Sequence, residues 1–112
     1  MSAITTHVLD TSRGRPASGL RVELQFRSGT DWKPLGSGVT DANGRCGSLM
    51  GDEKLQPGGY RLLFDAGSYF KDQRTETFYS EIPIVFEIAR PEAHYHVPLL
   101  ISPFGYSTYR GS

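Results

Sequence analysis

The sequence lacks most of the features that mark a specialised class of protein. It has one cysteine, Cys46. A single thiol makes no internal disulfide and no cysteine-rich zinc site. It has no excess of either charge, with twelve Lys and Arg against twelve Asp and Glu. A nucleic-acid groove or a strongly anionic partner would need a basic stripe, so neither is expected. No apolar run approaches the roughly 20 residues that cross a bilayer, so no membrane association is expected. The opening Met1-Ser2-Ala3-Ile4-Thr5-Thr6-His7 has no charged region followed by an apolar stretch, and does not read as a secretory leader. These absences point to a soluble, cytoplasmic protein. There is no repeat, linker or low-complexity segment, so 112 residues read as one domain, 1–112.

What is present is alternation. Leu20, Val22, Leu24 and Phe26 alternate with Arg21, Glu23, Gln25 and Arg27. Successive strand side chains point to opposite faces, so this is a half-buried strand. Ile82, Ile84, Phe86 and Ile88 repeat the pattern, and Tyr60, Leu62 and Phe64 give a shorter version. Ile4 to Asp10 is β-branched and reads as another strand, as does Tyr95 to Leu100. Turn signals punctuate these runs at Arg13–Pro16, Ser28–Asp31, Asp41–Gly44, Gln56–Gly59 and Ser102–Gly105. Tyr106 to Ser112 follows as a closing hairpin strand. Ser68 to Arg74 breaks the alternation and predicts one short helix, with Ser68 as its cap. The fold class expected is all-β, an antiparallel sandwich of seven to eight strands. Pro83 predicts an edge strand, and Pro98 a bulge or irregular edge.

Three histidines could move protons near neutral pH: His7, His94 and His96. His94 and His96 have strand spacing and should share a face. First and penultimate strands can be neighbours in a sandwich, which would bring His7 to His96. The plain alternative is three unrelated surface histidines. A His-x-His pair with a third histidine could also hold a metal ion, although nothing else in the sequence supports a metal site. Arg45 follows the Asp41–Gly44 turn, and its planar fork suits paired oxygens on a flat ligand; most turn arginines are simply solvated. Cys46 could act as a nucleophile, but no neighbouring feature marks it as activated, and it reads better as a small semi-buried residue. The final Tyr109, Arg110 and Ser112 could wall a pocket, or an edge strand could simply end there.

Three segments in order carry a family resemblance: Ile4-Thr5-Thr6-His7-Val8-Leu9-Asp10, Thr40-Asp41-Ala42-Asn43-Gly44-Arg45, and Tyr95-His96-Val97-Pro98-Leu99-Leu100 with terminal Tyr109-Arg110-Gly111-Ser112. Together they resemble the signature segments of the 5-hydroxyisourate hydrolases, or transthyretin-related proteins. The resemblance spans essentially the whole chain, and the terminal tetrapeptide is its most specific part. Ser80 and Phe104 depart from residues the family often has, proline and tyrosine, away from the motifs.

The resemblance implies a transthyretin-like sandwich and a homotetramer with sites where two dimers meet. It implies a site lined by His7, Arg45, His96 and Ser112, with Tyr109 beside them, and no metal or organic cofactor. It gives His94 no role. The implied reaction belongs to urate breakdown: water adds to a ring carbonyl of 5-hydroxyisourate, giving 2-oxo-4-hydroxy-4-carboxy-5-ureidoimidazoline. On that reading His7 and His96 share proton handling, Arg45 stabilises the oxyanion, and Arg45, Tyr109 and Ser112 hold the substrate. Competing readings are a hormone carrier of the same fold, a metal-dependent hydrolase built on the three histidines, and a non-enzymatic interaction module.

Overall fold

A computed structural model describes residues 3–50 and 54–112 of the chain. Two sheets face each other across an apolar core. The first contains β1 (Ile4–Asp10), β2 (Arg15–Pro16), β5 (Arg45–Cys46), β8 (Tyr95–Ser102) and β9 (Gly105–Thr108). The second runs β4 (Asp31–Val39), β3 (Arg21–Ser28), β6 (Gly58–Phe64), β7 (Ile82–Ile88). One short helix, α1 (Ala66–Lys71), follows β6. The all-β class holds, with seven longer strands and two of two residues among the described residues.

The alternation does what its period requires. Val22, Leu24, Leu62, Phe64, Ile82 and Ile88 point into the core from the second sheet, and Ile4, Val8, Leu99 and Ile101 meet them from the first. A one-residue slip of β1 would bury Thr5 and His7 and expose Ile4 and Val8. Each apolar side chain returned to water costs about 1.5–3 kcal/mol, so the register is locked.

Two expectations needed correction. The sandwich is not wholly antiparallel. β1 pairs β8 in parallel, with Thr5 opposite His96 and His7 opposite Pro98. The helix begins earlier than Ser68. Asp65 caps it, its carboxylate accepting the Ser68 N–H at 3.1 Å, because Asp65 directly ends β6 where the chain must turn. Arg74 at φ 56° lies outside the helix. Pro83 does lie in an edge strand, β7. Pro98 gives an irregular edge rather than a bulge: pairing with the C-terminal segment lapses beyond Leu99 opposite Thr108 and resumes in the same register as His96 opposite Gly111. A proline has no N–H for that ladder, so the gap falls beside it.

β4 was not legible beforehand. Its Pro34, Gly36 and Gly38 spoil the alternation, yet each suits an edge strand laid closely on its neighbours. A Cβ on Gly36 would collide with the Leu49 backbone, and one on Gly38 would sit 2.7 Å from the Cys46 sulfur.

Candidate active site

The outer face of β1 and β8 carries the histidines. Thr5 and His7 in β1 and His96 in β8 are the half-buried positions between buried ones. β5 lies on the other side of β1 and sets Arg45 opposite His7. A turn aims this arginine. The Asp41 carboxylate accepts from the N–H of Asn43 at 2.8 Å and of Arg45 at 3.0 Å. These bonds, led by the one from Arg45, hold the Asp41 carboxyl below the usual carboxylate range. Gly44 at φ 79° completes the turn, and a Cβ there would strike the Val8 carbonyl, so only glycine fits.

The resulting cleft, of about 340 Å³, is lined by Thr5, Thr6, Arg45, Cys46, Gly47, His94, His96 and Ser112. Arg45, His96 and Ser112 are therefore brought together from β5, β8 and the C-terminal segment. The Gly111 N–H donates to the His96 carbonyl at 2.8 Å, and the Arg110 guanidinium lies 4.5 Å over the Tyr95 ring. These contacts tie down a chain end that would otherwise fray.

Three expected placements differ. His7 does not line this cleft; its Nε2 donates to the Asn43 carbonyl at 2.8 Å, at the margin beside Arg45. A carbonyl only accepts, so this bond fixes the proton on Nε2. Tyr109 is 60% exposed and lines a separate groove with Phe86, Tyr95 and Val97. His94, given no role by the family resemblance, lines the cleft. Its two-residue spacing from His96 had already placed the two on one face, and both line this cleft.

His96 is the best-defined titrating group. Burial pushes its ring below the ordinary histidine range, and the nearby charges of Arg45, His7 and His94 push the same way. A hydrogen bond with the Thr5 backbone opposes them. The ring is thus neutral at neutral pH, with a lone pair available to take a proton. The Thr5 hydroxyl lies 2.8 Å from His96 Nδ1 and 3.3 Å from His94 Nε2. Cys46 is 4% exposed, and no hydrogen bond joins it to a histidine among the described residues. A nucleophile needs both access and a base, so the thiol reading loses its support. Among the described residues, no three His, Cys, Asp or Glu side chains are grouped to hold a metal ion.

The arrangement offers a neutral base, a guanidinium and a hydroxyl around one small cleft. That combination suits addition of water to a carbonyl of a flat, oxygen-rich ring.

Comparison with known proteins agrees. The chain is 44% identical over 109 residues to the 5-hydroxyisourate hydrolase of Salmonella dublin, covering 97% of this chain and 80% of that protein. The structure of Klebsiella pneumoniae 5-hydroxyisourate hydrolase superposes with a TM-score of 0.85 at 37% identity, covering 97% of this chain and 98% of that one. Sea bream transthyretin in complex with thyroxine superposes with a TM-score of 0.90 at 31% identity, covering 97% and 94%. The model of the HIUase/Transthyretin family matches residues 4–111. By sequence, fold and the residues gathered at its cleft, this chain belongs to the HIUase/Transthyretin family.

Proposed function

We propose that this protein hydrolyses 5-hydroxyisourate. The observation that carries the reading is the meeting of His96, Arg45 and Ser112 around one cleft. Fold alone cannot choose between hydrolase and carrier, because thyroxine-bound transthyretin shares it. The side chains choose. A carrier of an apolar hormone gains nothing from a guanidinium and imidazoles in its binding wall, whereas hydrolysis uses each of them.

The water oxygen bonds to the ring carbonyl carbon while His96 Nε2 takes its proton. Arg45 stabilises the negative charge that collects on the carbonyl oxygen. The ring C–N bond then breaks, and the departing nitrogen receives the proton back. His7, at the margin with its proton held on Nε2, adds to the field around Arg45 and orients the substrate edge nearest β5. Ser112 hydrogen-bonds the substrate, and Tyr109 joins the wall only if a second subunit closes over it.

The working unit in this reading is a cytoplasmic homotetramer of single 1–112 domains, with sites where two dimers meet. Its support is an exposed aromatic cluster. Phe78 and Phe104 are 72% and 64% exposed, and the Phe78, Tyr79 and Tyr106 rings form a continuous chain of edge contacts. Exposed apolar area of this kind marks association surfaces.

The test is to generate 5-hydroxyisourate in situ from urate and follow its ultraviolet decay. The expected result is a decay accelerated in proportion to protein concentration. A rate equal to the spontaneous one, with thyroxine bound tightly, would replace the hydrolase with the carrier.

A further inference from the structure

Proton transfer by an imidazole depends on which ring nitrogen is bare. The ring of His96 is held along two edges. On one, a Cβ at Gly111 would lie 2.7 Å from His96 Cδ2 and 3.1 Å from the Pro98 ring, so the glycine backbone packs directly against the ring. On the other, Nδ1 meets the Thr5 hydroxyl at 2.8 Å. Nε2 has no hydrogen-bond partner among the described residues.

A threonine hydroxyl has one proton and two lone pairs. It lies between two rings, 2.8 Å from His96 Nδ1 and 3.3 Å from His94 Nε2. Three orderings of the protons satisfy both contacts. In one, His96 Nδ1–H donates to Thr5, and Thr5 donates to His94 Nε2. In another, both rings donate to the two lone pairs of the Thr5 oxygen, again with the His96 proton on Nδ1. In the last, His94 donates to Thr5, and Thr5 donates to His96 Nδ1, which would put the His96 proton on Nε2 and leave no base facing the cleft. Two of the three leave Nε2 bare, and the closer contact of the hydroxyl, 2.8 Å against 3.3 Å, is the one to His96.

We propose that Thr5 is a positioning residue: its hydroxyl, backed by His94, keeps the His96 proton on Nδ1 and so leaves Nε2 bare for the attacking water. Thr5 also lines the cleft, but in this role it acts through the ring. The fold supplies the contact because parallel pairing of β1 and β8 sets Thr5 directly opposite His96. When His96 gains a proton at Nε2, the Nδ1–H bond to Thr5 becomes charge-assisted and strengthens. The proposal rests on the hydrolase reading for its kinetic consequence, but not for its tautomer.

The experiment compares wild type, Thr5→Val and Thr5→Ser. Valine keeps the size, the β-branching and the strand preference, and removes only the hydroxyl. Serine keeps the hydroxyl. The first readout is the pair of ring nitrogen shifts of His96 by NMR in the free protein, assigned with a His96→Gln control. Wild type and Thr5→Ser should show Nδ1 protonated and Nε2 bare, and Thr5→Val should shift toward the Nε2–H form. The second readout is kcat and KM for 5-hydroxyisourate. Thr5→Val should lower kcat about tenfold or more and change KM less than about twofold, with Thr5→Ser near wild type, the pattern of a misdirected base.

A wild-type ring protonated at Nε2 overturns the proposal. So does a Thr5→Val protein with unchanged tautomer and kcat, or a Thr5→Ser protein as impaired as Thr5→Val. If wild type does not turn over the substrate, the hydrolase reading fails, and the NMR comparison still decides the role of Thr5.

Discussion

Gly111→Ala tests the site through a residue that carries no chemistry. Gly111 does not need glycine for its backbone, since its φ is not in the left-handed region. Any effect must come from the added methyl. That methyl would start 2.7 Å from His96 Cδ2 and 3.1 and 3.3 Å from two atoms of the Pro98 ring. Carbon atoms rest about 3.5–4.0 Å apart, so roughly 1 Å must open between strap and ring. The proline ring is fixed in β8, leaving two responses. If the imidazole turns away, Nε2 is displaced by about 1 Å, a shift that costs on the order of a hundredfold in rate. If the strap lifts instead, the Gly111 N–H to His96 carbonyl bond is lost, along with the Arg110 stacking on Tyr95. Those are worth about 1 kcal/mol and about 0.5–1 kcal/mol. Such a loss lowers Tm by several degrees in a chain of this size. The assays are ultraviolet decay of 5-hydroxyisourate and thermal unfolding by circular dichroism. Wild-type kcat/KM together with wild-type Tm would refute the packing argument, because one of the two must pay for the methyl.

His96→Ala should lower kcat about a hundredfold or more, the scale of a general base, and His7→Ala should cost less because His7 stands outside the cleft; equal losses would return His7 to the proton-transfer step. The pH profile should follow the depressed ring of His96. The base works when neutral, so kcat/KM should stay level from neutrality down through the ordinary histidine value of 6.5 and fall only below it. Stability should follow the same sign, since acid adds a proton the fold disfavours; an acid limb centred above 6.5 would contradict both. Arg45→Lys should reduce kcat/KM about tenfold or more although charge is kept, because an ammonium lacks the two-pronged grip; unchanged kcat/KM would show that charge alone suffices.

Much of the fold was legible because it depends on local sterics. Alternation at Leu20–Leu24 and Ile82–Ile88 fixes which face is buried, but it gives way after Leu24, where Gln25 is buried and Phe26 half-buried beside a shift in the pairing with β4. The edge placement of Pro83 followed from its missing N–H alone. β4 was hidden because its glycines answer to neighbours, Leu49 and Cys46, that lie outside the strand itself. The site was half legible. Arg45, His96 and Ser112 converge, and a turn whose geometry is written into Asp41 and Gly44 presents the first of them. Thr5 and Gly111 could not be found as site residues, since neither has a side chain that advertises proton chemistry. Their importance lies in what they touch.

The amino-acid order by itself determined the alternating strands, most of their buried faces and the turn before Arg45, because these depend on contacts a few residues long. Only the tertiary structure decided that β1 lies parallel to β8, joining Thr5 to His96 across 91 positions of chain. That pairing brings His94 into the cleft, leaves His7 at its margin and sends Tyr109 to another groove. The reason is physical. A strand's period is set by its own backbone, whereas its neighbour is chosen by how two whole sheets close over a shared core.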